Sequence, residues 1–311
     1  MTLRKLVFPI TLLVMAAGVV SATQAPQRND AAGWALAKRI TLAVKYPENT
    51  GSTVDMIGTG LHSNVTGRVE AKHVDGRTRI KLRINNLEHP QTLGSYFTSY
   101  IMWAITPEGM ADNLGNLREL PPAGSRSREI EINIPHQTFG LIITAEPHSL
   151  VRYPGPMIIA ENFLRKDTRG NGAASNIEYR GDPGTFYILS GVTDAAATAD
   201  YNTPLDVLGA RRAVEIARRA GAAHYASEEL GAAERKLAEM ERIWAENHKK
   251  TMKFSGEARE AMRLAEVARA KAIEQMKRTR LEAKPGAAAR AQFEGDQVRN
   301  KRQAASDGGL R

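Results

Sequence analysis

The chain is 311 residues long, 42% hydrophobic and 25% charged, with 43 Lys and Arg against 34 Asp and Glu and no Cys. This composition excludes a largely disordered chain, a collagen-like fibre and a multi-span membrane protein. The lack of Cys excludes disulfides, thiolate metal sites and Cys nucleophiles, and the length suits about two domains.

The N-terminus has the three parts of a secretory signal. Arg4 and Lys5 precede an apolar run from Leu6 to Val20, and the small residues Ser21-Ala22-Thr23-Gln24-Ala25 follow. Residues 1–25 are therefore expected to be a signal peptide, with cleavage after Ala22 or Ala25. The alternative is an uncleaved anchor, although the run is shorter than the ~20 residues a spanning helix needs. The expected location is exported, periplasmic or at the cell envelope.

Residues 38–190 alternate with the period of a β-strand. Thr78, Ile80, Leu82 and Ile84 alternate with Arg77, Arg79, Lys81 and Arg83; Ile130, Ile132 and Ile134 alternate with Glu129, Glu131 and Asn133. Asp75-Gly76 between two such runs predicts a type I′ hairpin that pairs Val69 with Leu82 and Ala71 with Ile80. Tyr96 to Ile105 is apolar on both faces and reads as a central strand. Thr106-Pro107-Glu108-Gly109 reads as a turn, and Phe139 to Ala145 as a second buried strand. Pro154-Gly155-Pro156 is a further turn, with short strands at Met157–Ala160 and Thr185–Leu189. The expected fold class is α+β in two modules, the first an immunoglobulin-like antiparallel β-sandwich.

Tyr100-Ile101-Met102-Trp103-Ala104-Ile105-Thr106-Pro107-Glu108-Gly109, Asn113-Leu114-Gly115 and Phe139-Gly140-Leu141-Ile142-Ile143-Thr144-Ala145-Glu146-Pro147 resemble the extracytoplasmic domain of anti-sigma-K-type factors. The resemblance spans about residues 67–163. Its motifs are core and turn positions, so what it implies is the sandwich fold.

Composition shifts near residue 195. An Ala/Thr/Asp-rich linker at 191–202 leads to Thr203-Pro204-Leu205-Asp206, a helix start with Thr as N-cap and Pro at the first helical position. Val207, Ala210, Val214 and Ala217 recur at heptad-like spacing, with Gly221 as the stop. Leu230, Ala233, Leu237, Met240 and Trp244 repeat it in a second helix. Ser255 can cap a third, in which Ala258, Ala261, Ala265, Ala268 and Ala272 form a narrow seam. Lys284-Pro285-Gly286 is expected to end it. Residues 203–284 thus read as a helical hairpin or coiled-coil module, and 285–311 as a disordered basic tail. Ala210-Arg211-Arg212-Ala213, Ala217, Ala220-Gly221-Ala222, Tyr225-Ala226, Glu229-Leu230 and Ala233 resemble domain of unknown function 4398, found before OmpA-like domains in exported lipoproteins. That resemblance covers about residues 203–250 and implies an envelope context.

The basic excess lies in the helices: residues 203–311 hold 23 Lys and Arg against 16 Asp and Glu. This is the footprint either of an anionic envelope surface or of a solvated helix face with i,i+4 pairs such as Glu274–Arg278. In the hairpin register, Arg68 faces Arg83, Glu70 faces Lys81 and Lys72 faces Arg79. Arg68, Lys72, Arg79, Lys81 and Arg83 are therefore the candidate polyanion contact, with protection of a sheet edge as the competing explanation.

No catalytic signature is present. His62, His73, His89, His136, His148, His224 and His248 share no metal-ligand spacing, and no P-loop, dinucleotide fingerprint or Gly-x-Ser-x-Gly elbow occurs. His73 falls on an inward face and reads as a satisfied core histidine. The expectation is a non-enzymatic envelope interaction or structural protein without metal or cofactor, the sandwich recognising and the helices docking. Its expected partner is an envelope protein or an anionic envelope polymer and not nucleic acid, with peripheral membrane contact or self-association through the helices as further expectations. The alternative is an envelope hydrolase acting on wall or glycan.

Overall fold

A computed structural model describes residues 37–117, 127–170, 174–182, 199–246 and 252–307. The signal segment 1–25, the strand expected at Thr185–Leu189 and most of the expected linker lie outside the described residues.

Ten strands, all paired antiparallel, form the first module: β1 (Ala37–Lys45), β2 (Gly51–Gly58), β3 (Thr66–Val74), β4 (Arg77–Asn85), β5 (Ser99–Ile105), β6 (Ala111–Asn116), β7 (Ser127–Ile134), β8 (Thr138–Glu146), β9 (Ile158–Leu164) and β10 (Ser175–Gly181). Eight of them follow one hydrogen-bonded path, β6-β5-β8-β9-β2-β3-β4-β7. The path nearly closes into a barrel: His136, just after β7, lies 2.5 Å from the Asp112 carboxylate on β6. The sequence leads one to expect two facing sheets. They are joined because β8 has partners along both edges, β5 on one and β9 on the other, with a register shift at Ile143/Thr144.

Period-two alternation builds this module as expected. The β3–β4 ladder pairs Val69 with Leu82 and Ala71 with Ile80, around a turn in which Asp75 and Gly76 both have positive φ, at 50° and 72°. That is the type I′ geometry whose twist matches paired strands. Every residue of β5 is buried. Tyr100, Met102 and Ala104 point into the barrel with Phe139, Leu141 and Ile143 of β8. Ile101, Trp103 and Ile105 point outward and are covered by the β1–β10 ribbon through Ala43, Ile177 and Tyr179. His73 is buried, its Nδ1 2.8 Å from the Thr78 hydroxyl.

The second module contains α1 (Leu205–Arg219), the single turn α2 (Ala222–Tyr225), α3 (Ser227–Glu246) and α4 (Met252–Asp307). α1, α3 and α4 pack on one another, and the heptad positions supply their core. Val207, Ala210, Val214 and Ala217 meet Leu230, Ala233 and Met240 and the seam Ala258, Ala261, Ala265, Ala268 and Ala272. Small seam residues let helix axes approach closely. Gly221, at φ 87°, follows α1 in the left-handed conformation expected of its stop.

Two details of α4 differ from expectation. It begins at Met252, so Ser255 lies inside its first turn, where its hydroxyl donates to Asp206 of α1 at 2.6 Å. Its backbone stays helical to Asp307, through Lys284-Pro285-Gly286 and over the segment expected as a disordered tail. Proline removes one backbone donor from a helix, and the Ala run at 287–289 restores helical propensity beyond it. At 1.5 Å per residue, 56 residues give a rod of about 84 Å.

The helices rest directly on the barrel. Tyr96, in the segment before β5, packs with Ile216 of α1, Ala220 just after it, and Ile273 and Met276 of α4. Its hydroxyl donates to Glu215 at 2.6 Å, and the Arg212 guanidinium lies 4.3 Å from its ring centre. Gly209 of α1 allows the close approach, since a Cβ there would sit 3.2 Å from the Thr98 hydroxyl.

Candidate functional site

A cluster of charged side chains is buried where the two modules meet. It is assembled from strand ends on one side and a helix face on the other. β8 ends in Glu146, with His148 two residues on; β10 runs into Asp182; β1 contributes Arg39; and α4 contributes Glu266 and Arg269, three residues apart on one face.

Arg39 fastens the strand ends. One guanidinium nitrogen donates to the carbonyls of Pro154 and Gly155 at 2.8 and 2.9 Å, and the other to the Asp182 carbonyl at 2.6 Å. Glu146 accepts from the Gly155 amide at 2.6 Å and from the Thr144 hydroxyl at 2.5 Å, and Thr144 in turn accepts from the Trp103 indole N–H at 2.8 Å. Burial pushes the Glu146 carboxyl up to about 8, although the bonds from Thr144 and Gly155 pull the other way.

Arg269 reaches from α4 to donate to the Asp182 carboxylate and lies 3.4 Å from Glu266. The side chains of Arg269 and Asp182 are 9% and 6% exposed. Nε2 of the fully buried His148 lies 3.2 Å from Glu266. Burial would raise the Glu266 carboxyl, but Arg269, then His148, outweigh it and hold it below the usual range. Burial lowers the Arg269 guanidinium, and Glu266 with Asp182 more than reverse this.

Two carboxylates with pKa values pushed in opposite directions, Glu146 up and Glu266 down, could in chemical terms supply an acid and a base. The space does not match that chemistry. The cavity shared by Glu146, His148, Asp182, Glu266 and Arg269 is about 10 Å³, too small for a substrate group. The arrangement can lock two modules together. Among the described residues, no group of three or more His, Asp or Glu is placed to hold a metal ion, and no helix is long and apolar enough to cross a membrane.

The residues singled out from sequence, Arg68, Lys72, Arg79, Lys81 and Arg83, do share the outer face of β3–β4, in the register expected. The edge explanation fails, because β3 also pairs with β2 and β4 with β7. Those neighbours bring acids. Arg83 donates to Glu129 at 2.7 Å, Arg79 and Lys81 lie 3.2 and 3.7 Å from Glu131, and Arg68 lies 4.0 Å from Asp55. Four of the five cations are thus offset by strands that the hairpin alone does not reveal.

The buried cluster was not singled out from sequence. Its visible signals were a Glu ending an otherwise apolar strand and the pair Glu266 and Arg269 within the Ala seam. No protein-family model, curated protein or solved structure matches the chain.

Proposed function

We propose that this is a non-enzymatic interaction protein of the cell envelope, exported by its N-terminal segment. In this reading the β module recognises a partner and the long helix carries the docking surface. The observation that supports it is the shape of α4. Its packed part ends at Met276, residues 277–282 are all exposed, with Leu281 at 65%, and the helix runs on to Asp307. From 277 to 311 the chain carries nine Lys and Arg against four Asp and Glu. A basic rod of this kind suits an acidic envelope protein or polymer.

The β module is read as immunoglobulin-like in the sense that the β5–β8 wall faces the β2–β3–β4 wall across one core, a layout that serves recognition as readily as catalysis. The resemblances to anti-sigma-K-type factors and to domain of unknown function 4398 belong to the same reading. The hydrolase alternative has the buried carboxylates in its favour and their small cavity against it.

The test is fractionation of cells producing the full chain and a chain ended after Lys284. Both should be exported, and only the full chain should stay with the envelope fraction through a low-salt wash. Cytoplasmic full-length protein, equal retention of both chains, or hydrolysis of wall glycan by the purified protein would sink the proposal.

A further inference from the structure

We propose that the groove between Arg152-Tyr153 and α4 is a binding site for a small acidic saccharide, with its anionic group held between Arg152 and Lys277 and its ring against Tyr153. This reading does not depend on where the protein resides or on what α4 docks to.

The groove has a volume of about 250 Å³ and exists only where the modules meet. One wall is the turn after β8, which presents Arg152 and Tyr153. The other is a single face of α4, where Glu266, Arg269, Ile273 and Lys277 follow at helical spacing. The groove opens above the buried cluster, with which it shares Tyr153, Glu266 and Arg269.

Charge at the mouth is unbalanced. Glu266 is already engaged by Arg269 and His148, and Glu274 by Arg278 at 3.3 Å. Arg152 and Lys277 are both exposed, and neither forms an ion pair among the described residues. Lys277 faces the groove without an acid within ion-pair distance, and Arg152 acts only at longer range on Glu266, which Arg269 and His148 already engage, so two cations from different modules suit one anionic group. Arg152 offers a planar fork that matches a carboxylate or phosphate, and Lys277 a mobile point charge. Between them Tyr153 is 40% exposed, beside the half-buried Ile273. An amphipathic ring with an apolar shelf is a surface on which a sugar ring can lie while its hydroxyls stay wet.

A ligand held this way bridges the modules, so it binds the docked state better than an undocked one and should stabilise it by linkage. The experiment is calorimetric titration of the full chain at low salt with glucuronate, glucose 6-phosphate and uncharged glucose, alongside thermal unfolding with each sugar. At least one acidic sugar should bind saturably and at least tenfold more tightly than glucose, and should raise the melting temperature. The tighter of the two identifies the anionic group as carboxylate or phosphate. R152A and K277A should each weaken that binding at least fivefold and abolish the thermal shift while keeping the wild-type circular dichroism spectrum. R152K should recover part of it. Acidic sugars binding no better than glucose, or wild-type affinity in both alanine variants, would overturn the assignment.

Discussion

Arg269 of α4 donates to the carboxylate of Asp182, the residue that follows β10, the last strand of the β module. The contact spans 87 positions of sequence and joins the two modules through a buried ion pair. Each module has its own apolar core, and the apolar bridges between them are small, one centred on Tyr96 and one where Leu150 packs against the helical core. The charged cluster therefore decides whether the modules unfold together.

Removing one partner strands the other charge in a dry interface. Arg269→Ala should cost roughly 3–5 kcal/mol and split a single unfolding transition into two, the helical signal going first. Arg269→Met combined with Asp182→Leu and Glu266→Gln should lose less than Arg269→Ala, because both carboxylates that Arg269 balances are then neutral as well. Urea unfolding followed at a helix band and by Trp fluorescence distinguishes these outcomes, and one unchanged transition in Arg269→Ala would show that the pair does not couple the modules.

Glu146 imposes a pH dependence with a definite sign. Its folded-state value is raised from 4.5 to about 8. Between those values the folded protein keeps a proton that the unfolded chain releases. Its contribution to stability should thus fall as pH rises through that window, by up to about 1.4 kcal/mol per pH unit, and level off above it. Glu146→Gln keeps the shape of the protonated acid and should remove this fall. Glu266, held low, acts in a separate acidic window: what it contributes is present above its unfolded value and is lost as pH drops through the folded one. Denaturation midpoints of both proteins from about pH 5 to 9 provide the comparison, and parallel curves would contradict the assignment to Glu146.

Thr144 connects the Trp103 indole to Glu146. Thr144→Val preserves volume but leaves the indole N–H buried without an acceptor, at roughly 1–3 kcal/mol. The loss of a donor to Glu146 should also push that carboxyl higher. A variant as stable as the parent would mean that the indole finds another partner.

The outer face of β3–β4 is held near electrical balance by Glu129, Glu131 and Asp55. Replacing Glu129 and Glu131 together by Gln should leave Arg79, Lys81 and Arg83 uncompensated and raise the salt needed to elute the protein from a heparin column. Arg79→Ala with Arg83→Ala should lower it. If neither pair of substitutions moves the elution point, this face does not contact polyanions.

Local patterning determined much of the fold. Alternation on both sides of Asp75-Gly76 leaves one register for β3 and β4 in which apolar side chains share a face, and the ladder has that register. The run from Tyr96 to Ile105 lacks a polar face, and its part Ser99–Ile105 became the strand buried on both sides, while the heptad positions of α1, α3 and α4 became their shared core. These features depend on near neighbours, so period and turn chemistry suffice to read them. The two charge clusters are different in kind. Arg39, Glu146, Asp182 and Arg269 each look like an ordinary solvated residue until strand ends and a helix face meet. The cations of β3–β4 look unbalanced until β2 and β7 arrive alongside with their acids. Pairing of distant strands and docking of a helix on a barrel are set by total burial and shape, which no short window of sequence contains, and only the tertiary structure decided which charges are buried and which are already neutralised.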